Sequence, residues 1–292
     1  CGELLQVNQL LATPTVEGLL RSHVSLDPAT LSEVRLRALV DGAVFPLAYA
    51  AGVEWTRRHG LRDLVESYRD VALARLTGLG HAWSVWCSFH ALLPFIEARQ
   101  DKRLEALCAE RFVELVASQL ATPASWPDPD DTRDEELAAE GADDELEDEL
   151  DGPEPQLQGL LEAVCCTPGY FGHSLISLAY VLRYEGLLSA AERRFALERV
   201  AAIATDDSAF EATLEVAAPG DPERVVDEAE YHRALHKLLD EGPREVHTLT
   251  FADATTELWR IADGPRRTWL MATISALTTW DLRRDASGER QR

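Results

Sequence analysis

The sequence predicts an all-α protein: a multi-helix bundle of two loosely similar halves joined by an acidic linker. Three observations predict it. Apolar residues recur at three- and four-residue spacing over most of the chain, and no stretch alternates with period two. Helix-capping signals recur, among them Ser189 with Glu192 and Ser208 with Glu211. Between the two periodic regions lies a charged stretch almost without large apolar side chains.

Taken in order, Leu4 to Leu20 is weakly helical and interrupted by Pro14. Asp27-Pro28 opens a helix through Val34, Leu36 and Leu39, with Thr30 and Glu33 at capping-box spacing. Asp41 to Arg58 is a second helix, stopped by Gly60 after Arg57, Arg58 and His59. Leu61, Leu64, Val65, Tyr68, Val71, Ala72 and Leu76 keep the helical period until Gly78 and Gly80 break it. His81 to Ala98 is strongly apolar and reads as a buried helix, and Arg103 to Leu120 as an amphipathic one. After the charged stretch come helices over Leu157 to Cys166, His173 to Gly186 and Phe195 to Ala204, and a short one after Ser208. Asp221-Pro222 starts a helix carrying Tyr231, Leu235, Leu238 and Leu239. Thr250 and Asp253 open the next, and Gly264-Pro265 separates it from Arg266 to Arg284. The tail from Asp285 is polar.

The domain reading is an N-terminal helical half over 1–122, an acidic disordered linker over 123–156 and a C-terminal helical half over 157–285. The two halves are expected to make one composite domain. Asp128 to Asp151 holds 14 acidic residues against Arg133 alone, which is 13 of the chain's net −23. Such a segment repels itself and cannot bury enough surface to offset the entropy of ordering. A strongly negative chain also lacks the cations that nucleic acid requires, so no nucleic-acid partner is expected. Apolar runs are too short for a membrane span. Cys87, Cys108, Cys165 and Cys166 have neither metal-site nor disulfide-framework spacing. They read as free thiols, with a cytoplasmic location expected. Cys1-Gly2-Glu3 is compatible with a lipoprotein start, and a trimmed terminus is the plainer reading.

The histidines carry the chemical information. Thr77-Gly-Leu-Gly-His-Ala-Trp-Ser delivers His81 to the start of an apolar helix. Thr167-Pro-Gly-Tyr-Phe-Gly-His-Ser does the same for His173, so a Gly-His pair opens an apolar helix twice. Helix N-termini disfavour imidazolium, and only neutral imidazole ligates a metal. His247 stands in a comparable place after Gly242-Pro243. His90 is nine residues beyond His81, so a straight helix turns it to the opposite side. Glu228, His232 and His236 stack on one helix face but lack the Glu of an HExxH, and their charged neighbours read as a solvated surface. No GxSxG, phosphate-binding loop or zinc-finger spacing is present.

Phe89-His90-Ala91-Leu92-Leu93, Gly172-His173-Ser174-Leu175-Ile176-Ser177-Leu178-Ala179-Tyr180 and Val246-His247-Thr248-Leu249-Thr250 together resemble the His-led helical signatures of questin oxidase-like proteins. The resemblance covers loosely Leu76 to Leu277 and marks this chain as a diverged relative. Asp41 to Tyr49 carries no histidine where that family has one. The resemblance implies oxidative ring cleavage in secondary metabolism, with a non-haem iron held by His173, His247 and either His81 or His90. It implies an apolar, aromatic or polyketide-like small-molecule substrate, with NADPH as candidate electron donor. The resulting expectation is a metal-dependent oxygenase with His173 central to catalysis. Trp83, Trp86, Phe171 and Tyr180 are the expected pocket lining. Two alternatives stand beside it. One is a non-catalytic helical interaction protein whose acidic linker binds a partner and whose histidines are structural. The other is a cofactor-free enzyme using His173 as general base.

Overall fold

A computed structural model of the chain describes residues 26–44, 47–76, 80–121, 153–205, 214, 216–220, 224–243 and 246–280. The acidic stretch, the region before Leu26, the Ser208 capping signal and the tail from 281 lie outside the described residues. Every regular element among the described residues is a helix, as the period and the caps predict.

A 3₁₀ turn, Pro28–Thr30, is capped by the Asp27 carboxylate. It leads into α1 (Glu33–Asp41), α2 (Leu47–His59), α3 (Leu61–Glu66), α4 (Arg69–Ala74), α5 (His81–Arg99) and α6 (Lys102–Ala121). The remainder comprises α7 (Pro153–Cys166), a 3₁₀ turn Tyr170–Gly172, α8 (His173–Arg183) and a 3₁₀ turn Glu185–Leu187. Then follow α9 (Ala190–Thr205), α10 (Glu228–Glu241), α11 (Val246–Ile261) and α12 (Gly264–Thr278). No helix among the described residues is long and apolar enough to cross a membrane.

Several boundaries differ from the expected ones for identifiable reasons. The helix expected from Asp41 to Arg58 is two, since Asp41 ends α1 and α2 begins only at Leu47, after Pro46. The run from Leu61 to Leu76 breaks at Ser67 and Tyr68, where the Ser67 hydroxyl turns back to the Leu64 carbonyl. The Ser67 carbonyl in turn accepts from Arg37, so side chains replace the helical ladder there. α7 starts at Pro153, four residues inside the expected linker, because proline is well suited to a first helical turn. α10 starts after Asp227, whose carboxylate accepts from the Glu230 amide, rather than at Asp221. α11 begins at Val246 rather than Thr250, and α12 ends at Thr278. The Ser189–Glu192 box forms as expected, each side chain bonding the other's amide.

Buried side chains form one continuous cluster that runs from α1 to α12. α8 sits at its centre and packs on α5, α7, α9 and α11. Its residues from His173 to Val181 are all buried, which accounts for an apolar sequence on every face. α8 also carries Arg183, whose guanidinium bonds Asp253 at 2.7 Å and Glu257 at 3.0 Å and ties it to α11. The four described cysteines are free, with Cys87, Cys108 and Cys165 buried. Burial pushes the Cys108 thiol up to about 11 and raises Cys165 as well, so both are inert at neutral pH.

Candidate metal centre

Three helices begin at one place in the core. His81 and His173 are the first residues of α5 and α8, and His247 is the second residue of α11. The two Gly-His pairs are set by the same constraint. Gly80 and Gly172 are the N-caps and lie in the left-handed region, with φ of +66° and +76°. Both also lie against a neighbouring helix. A Cβ on Gly80 would collide with Ser177 Oγ, and one on Gly172 would stand 2.5 Å from the Phe251 ring. Ser177 is one turn beyond His173 and Phe251 one turn beyond His247. Each glycine thus rests one turn below the next histidine, and the helix starts are stacked stepwise. The lack of a Cβ is what lets the imidazoles approach one another.

The imidazoles of His81, His173 and His247 could hold a metal ion, because one nitrogen from each lies within 4.8 Å of the others. His81 Nε2 is 2.9 Å from His173 Nε2. Ring centroids are 4.8 Å apart for His81 and His173, 5.0 Å for His173 and His247, and 5.9 Å for His81 and His247. His173 Nδ1 faces the Tyr170 carbonyl, which can only accept. Nδ1 therefore carries the proton, and in the neutral ring Nε2 presents its lone pair to the cluster. The same carbonyl accepts from the His173 backbone amide, so Tyr170 fixes both ring and helix start.

His173 is only 2% exposed. Burial, reinforced by the neighbouring His81 and His247, pushes its pKa down to about 3, against the opposing bond to Tyr170. The ring stays neutral at any ordinary pH, as a ligand must. A base of that strength abstracts protons poorly near neutrality, which weighs against His173 as a general base.

Other expected site residues are distributed differently. His90 is not in the cluster: its Nε2 faces Glu66 Oε1 at 3.2 Å and its ring stacks on Trp86 at 4.9 Å. The nine-residue spacing turns it away from His81, so the substitute role for His90 has no geometric basis. Trp83 and Trp86 stack on each other at 5.0 Å and are sealed in the core. The Trp86 indole donates to the Val65 carbonyl, so this residue packs the far side of α5 instead of lining a pocket at the cluster. Tyr180 is buried on α8. Phe171 does meet the site, stacked on His247 at 5.2 Å. On α10, His232 is paired with Glu228 at 3.6 Å on the surface, as a solvated face predicts.

Two aromatic residues at the site went unmarked by sequence reasoning. Tyr170 stacks on His173 at 5.9 Å, and Trp280 meets Phe171 at 4.7 Å and Tyr170 at 5.7 Å. The run Gly169-Tyr-Phe-Gly172 carried a visible signal for the first, two aromatics held between glycines. Trp280, beyond the end of α12, carried none. Phe171 adopts φ +49°, ψ +21°, a left-handed conformation that bulky residues rarely take. Comparison of the chain with protein families, with curated proteins and with solved structures finds no match.

Proposed function

We propose that this protein is a metalloenzyme in which His81, His173 and His247 hold one transition-metal ion, a non-haem iron serving oxygenation of an aromatic or polyketide-like molecule. The single observation that carries the reading is the convergence of three imidazole nitrogens at three helix starts. Two nitrogens on adjacent octahedral positions lie about 3.0 Å apart, against about 3.4 Å on a tetrahedron, for metal–nitrogen bonds near 2.1 Å. The 2.9 Å between the His81 and His173 nitrogens is short enough for two ligands of one ion, and a set of three imidazoles leaves positions open, as a redox iron requires. His247 offers the third nitrogen, within 4.8 Å of the other two. Such an ion supplies redox chemistry toward dioxygen at its open positions.

The chain's own residues supply the rest. The Tyr170 carbonyl orients His173. Tyr170, Phe171 and Trp280 give the site aromatic faces suited to a flat apolar substrate. The resemblance to questin oxidase-like proteins in the His-led segments supports the same substrate class. NADPH is the proposed electron donor on that resemblance alone.

A second reading has one observation in its favour. The contact between the two Nε2 atoms is also the length of an N–H···N hydrogen bond. In that reading the three rings are a core cluster in a non-catalytic protein. Metal content separates the two. Protein purified without chelators or nickel resin is expected to carry, or take up from ferrous salt, about one ion per chain, and His173→Ala to hold it about tenfold or more weakly. Failure of the native chain to retain iron, cobalt or zinc at micromolar concentration would establish the hydrogen-bonded cluster instead. Dioxygen consumption with hydroxylated aromatic substrates then tests the oxygenase assignment.

A further inference from the structure

Resting on the metal reading above, we propose that the open positions of this site are built for an anionic oxygen ligand, so that the substrate binds as a phenolate, enolate or carboxylate through its ionised oxygen. Charge is the reason. The ligand group among the described residues contains imidazoles and no carboxylate. A divalent ion bound by three neutral rings keeps its full charge of about +2, whereas sites built on two histidines and a carboxylate cancel part of it with their own side chain.

The surroundings add to the imbalance. α5, α8 and α11, of 19, 11 and 16 residues, all point their N-termini at the cluster. Each contributes roughly half an elementary charge of positive sign. Helices usually blunt that end with an acid in the first turn, and none of these three has one. His173 is 2% exposed, so the excess charge at that edge of the site is screened weakly by water. A positive centre with no compensating carboxylate among the described ligands favours an anion over a neutral ligand of the same shape. The net charge of −23 opposes anions at long range, but screening confines that field to a Debye length of about 8 Å, and selection falls to the local one. The adjacent Phe171 and Trp280 rings suit an anion carried on a flat apolar body.

The test uses the full chain loaded with cobalt(II), whose visible absorption reports its ligands. Benzoate is the probe, and benzamide is its neutral counterpart of nearly equal shape. Benzoate is expected to change the cobalt spectrum at a concentration about tenfold or more below that needed for benzamide. His247→Asp, which places a carboxylate among the ligands, is expected to keep cobalt and weaken benzoate about tenfold. His81→Asp is the second such variant if the first does not fold. Glu245, two residues before His247, lies outside the described residues, and Glu245→Gln is expected to leave benzoate affinity within about twofold. Equal response to benzoate and benzamide overturns the proposal, as does a tenfold gain in benzoate affinity in Glu245→Gln. A chain that takes up no cobalt at all ends the metal reading and this inference together. Cobalt uptake without anion preference ends this inference alone.

Discussion

Replacing Gly172 by alanine tests the stepwise stacking of helix starts. Two costs arise at once. The residue sits at φ +76°, where a Cβ costs about 1 kcal/mol. The new methyl would also stand 2.5 Å and 2.6 Å from two carbons of the Phe251 ring, well inside van der Waals contact. Overpacking of this kind costs about 1–3 kcal/mol, because the ring and α11 must shift. The sum is about 2–4 kcal/mol, a large share of a stability of about 5–15 kcal/mol, and lowers Tm by about 3–8 °C in a chain of this size. Two companions separate the terms. Gln100 adopts φ +52° at the end of α5, so Gln100→Gly relieves conformational strain alone and should stabilise by about 1 kcal/mol. Gly159 lies within α7, and a methyl added there would have nothing within 4 Å, so Gly159→Ala should stabilise by about 0.5–1 kcal/mol. Urea denaturation followed by circular dichroism measures all three. Shrinking the ring in Gly172→Ala/Phe251→Leu should recover about 1 kcal/mol relative to the sum of the single changes. A loss below about 1 kcal/mol for Gly172→Ala, or strict additivity in the double variant, would refute the claim that Phe251 is the wall.

Metal-free protein should lose stability as acidity rises. His173 stays neutral in the fold down to about pH 3, whereas its unfolded value is 6.5. Between these limits the unfolded chain binds the extra proton, so stability is full above 6.5 and declines below it by up to about 1.4 kcal/mol per pH unit. Urea midpoints at pH 7 and pH 5 measure the slope, and His173→Asn should flatten it. Arg183 ties α8 to α11 through Asp253 and Glu257. Arg183→Met should cost about 1–3 kcal/mol and leave two carboxylates facing each other. Cobalt affinity should fall with it, because α11 carries His247, whereas Arg62→Met, which breaks a surface pair with Glu97, should leave cobalt affinity unchanged.

The helical class was legible because its signals are local: periodic apolar residues in α5 and α8, and caps such as the Ser189–Glu192 box. The Gly-His pairs were legible for the same reason, since a glycine before a histidine at a helix start is a sequence fact. The trio of His81, His173 and His247 depends on packing of helices far apart in the chain, and the sequence narrowed it only to four histidines. Helical geometry decides the case of His90, which the nine-residue spacing already turned away. The place of Trp86 is not legible because a tryptophan near a histidine reads alike whether it faces the site or the core; its bond to the Val65 carbonyl is a tertiary fact. The second glycine function, clearance for Ser177 and Phe251, was invisible because nothing local shows which helix comes near. The break at Ser67 was hidden likewise, since it depends on Arg37 thirty residues earlier.

X-ray absorption at the edge of the bound metal tests the three-histidine centre most directly. Three imidazole scatterers at about 2.0–2.2 Å are expected in the loaded protein. Two are expected in His247→Ala, and an unchanged spectrum in His90→Ala. A spectrum without imidazole scattering, or one altered by His90→Ala and indifferent to His247→Ala, would contradict the assignment.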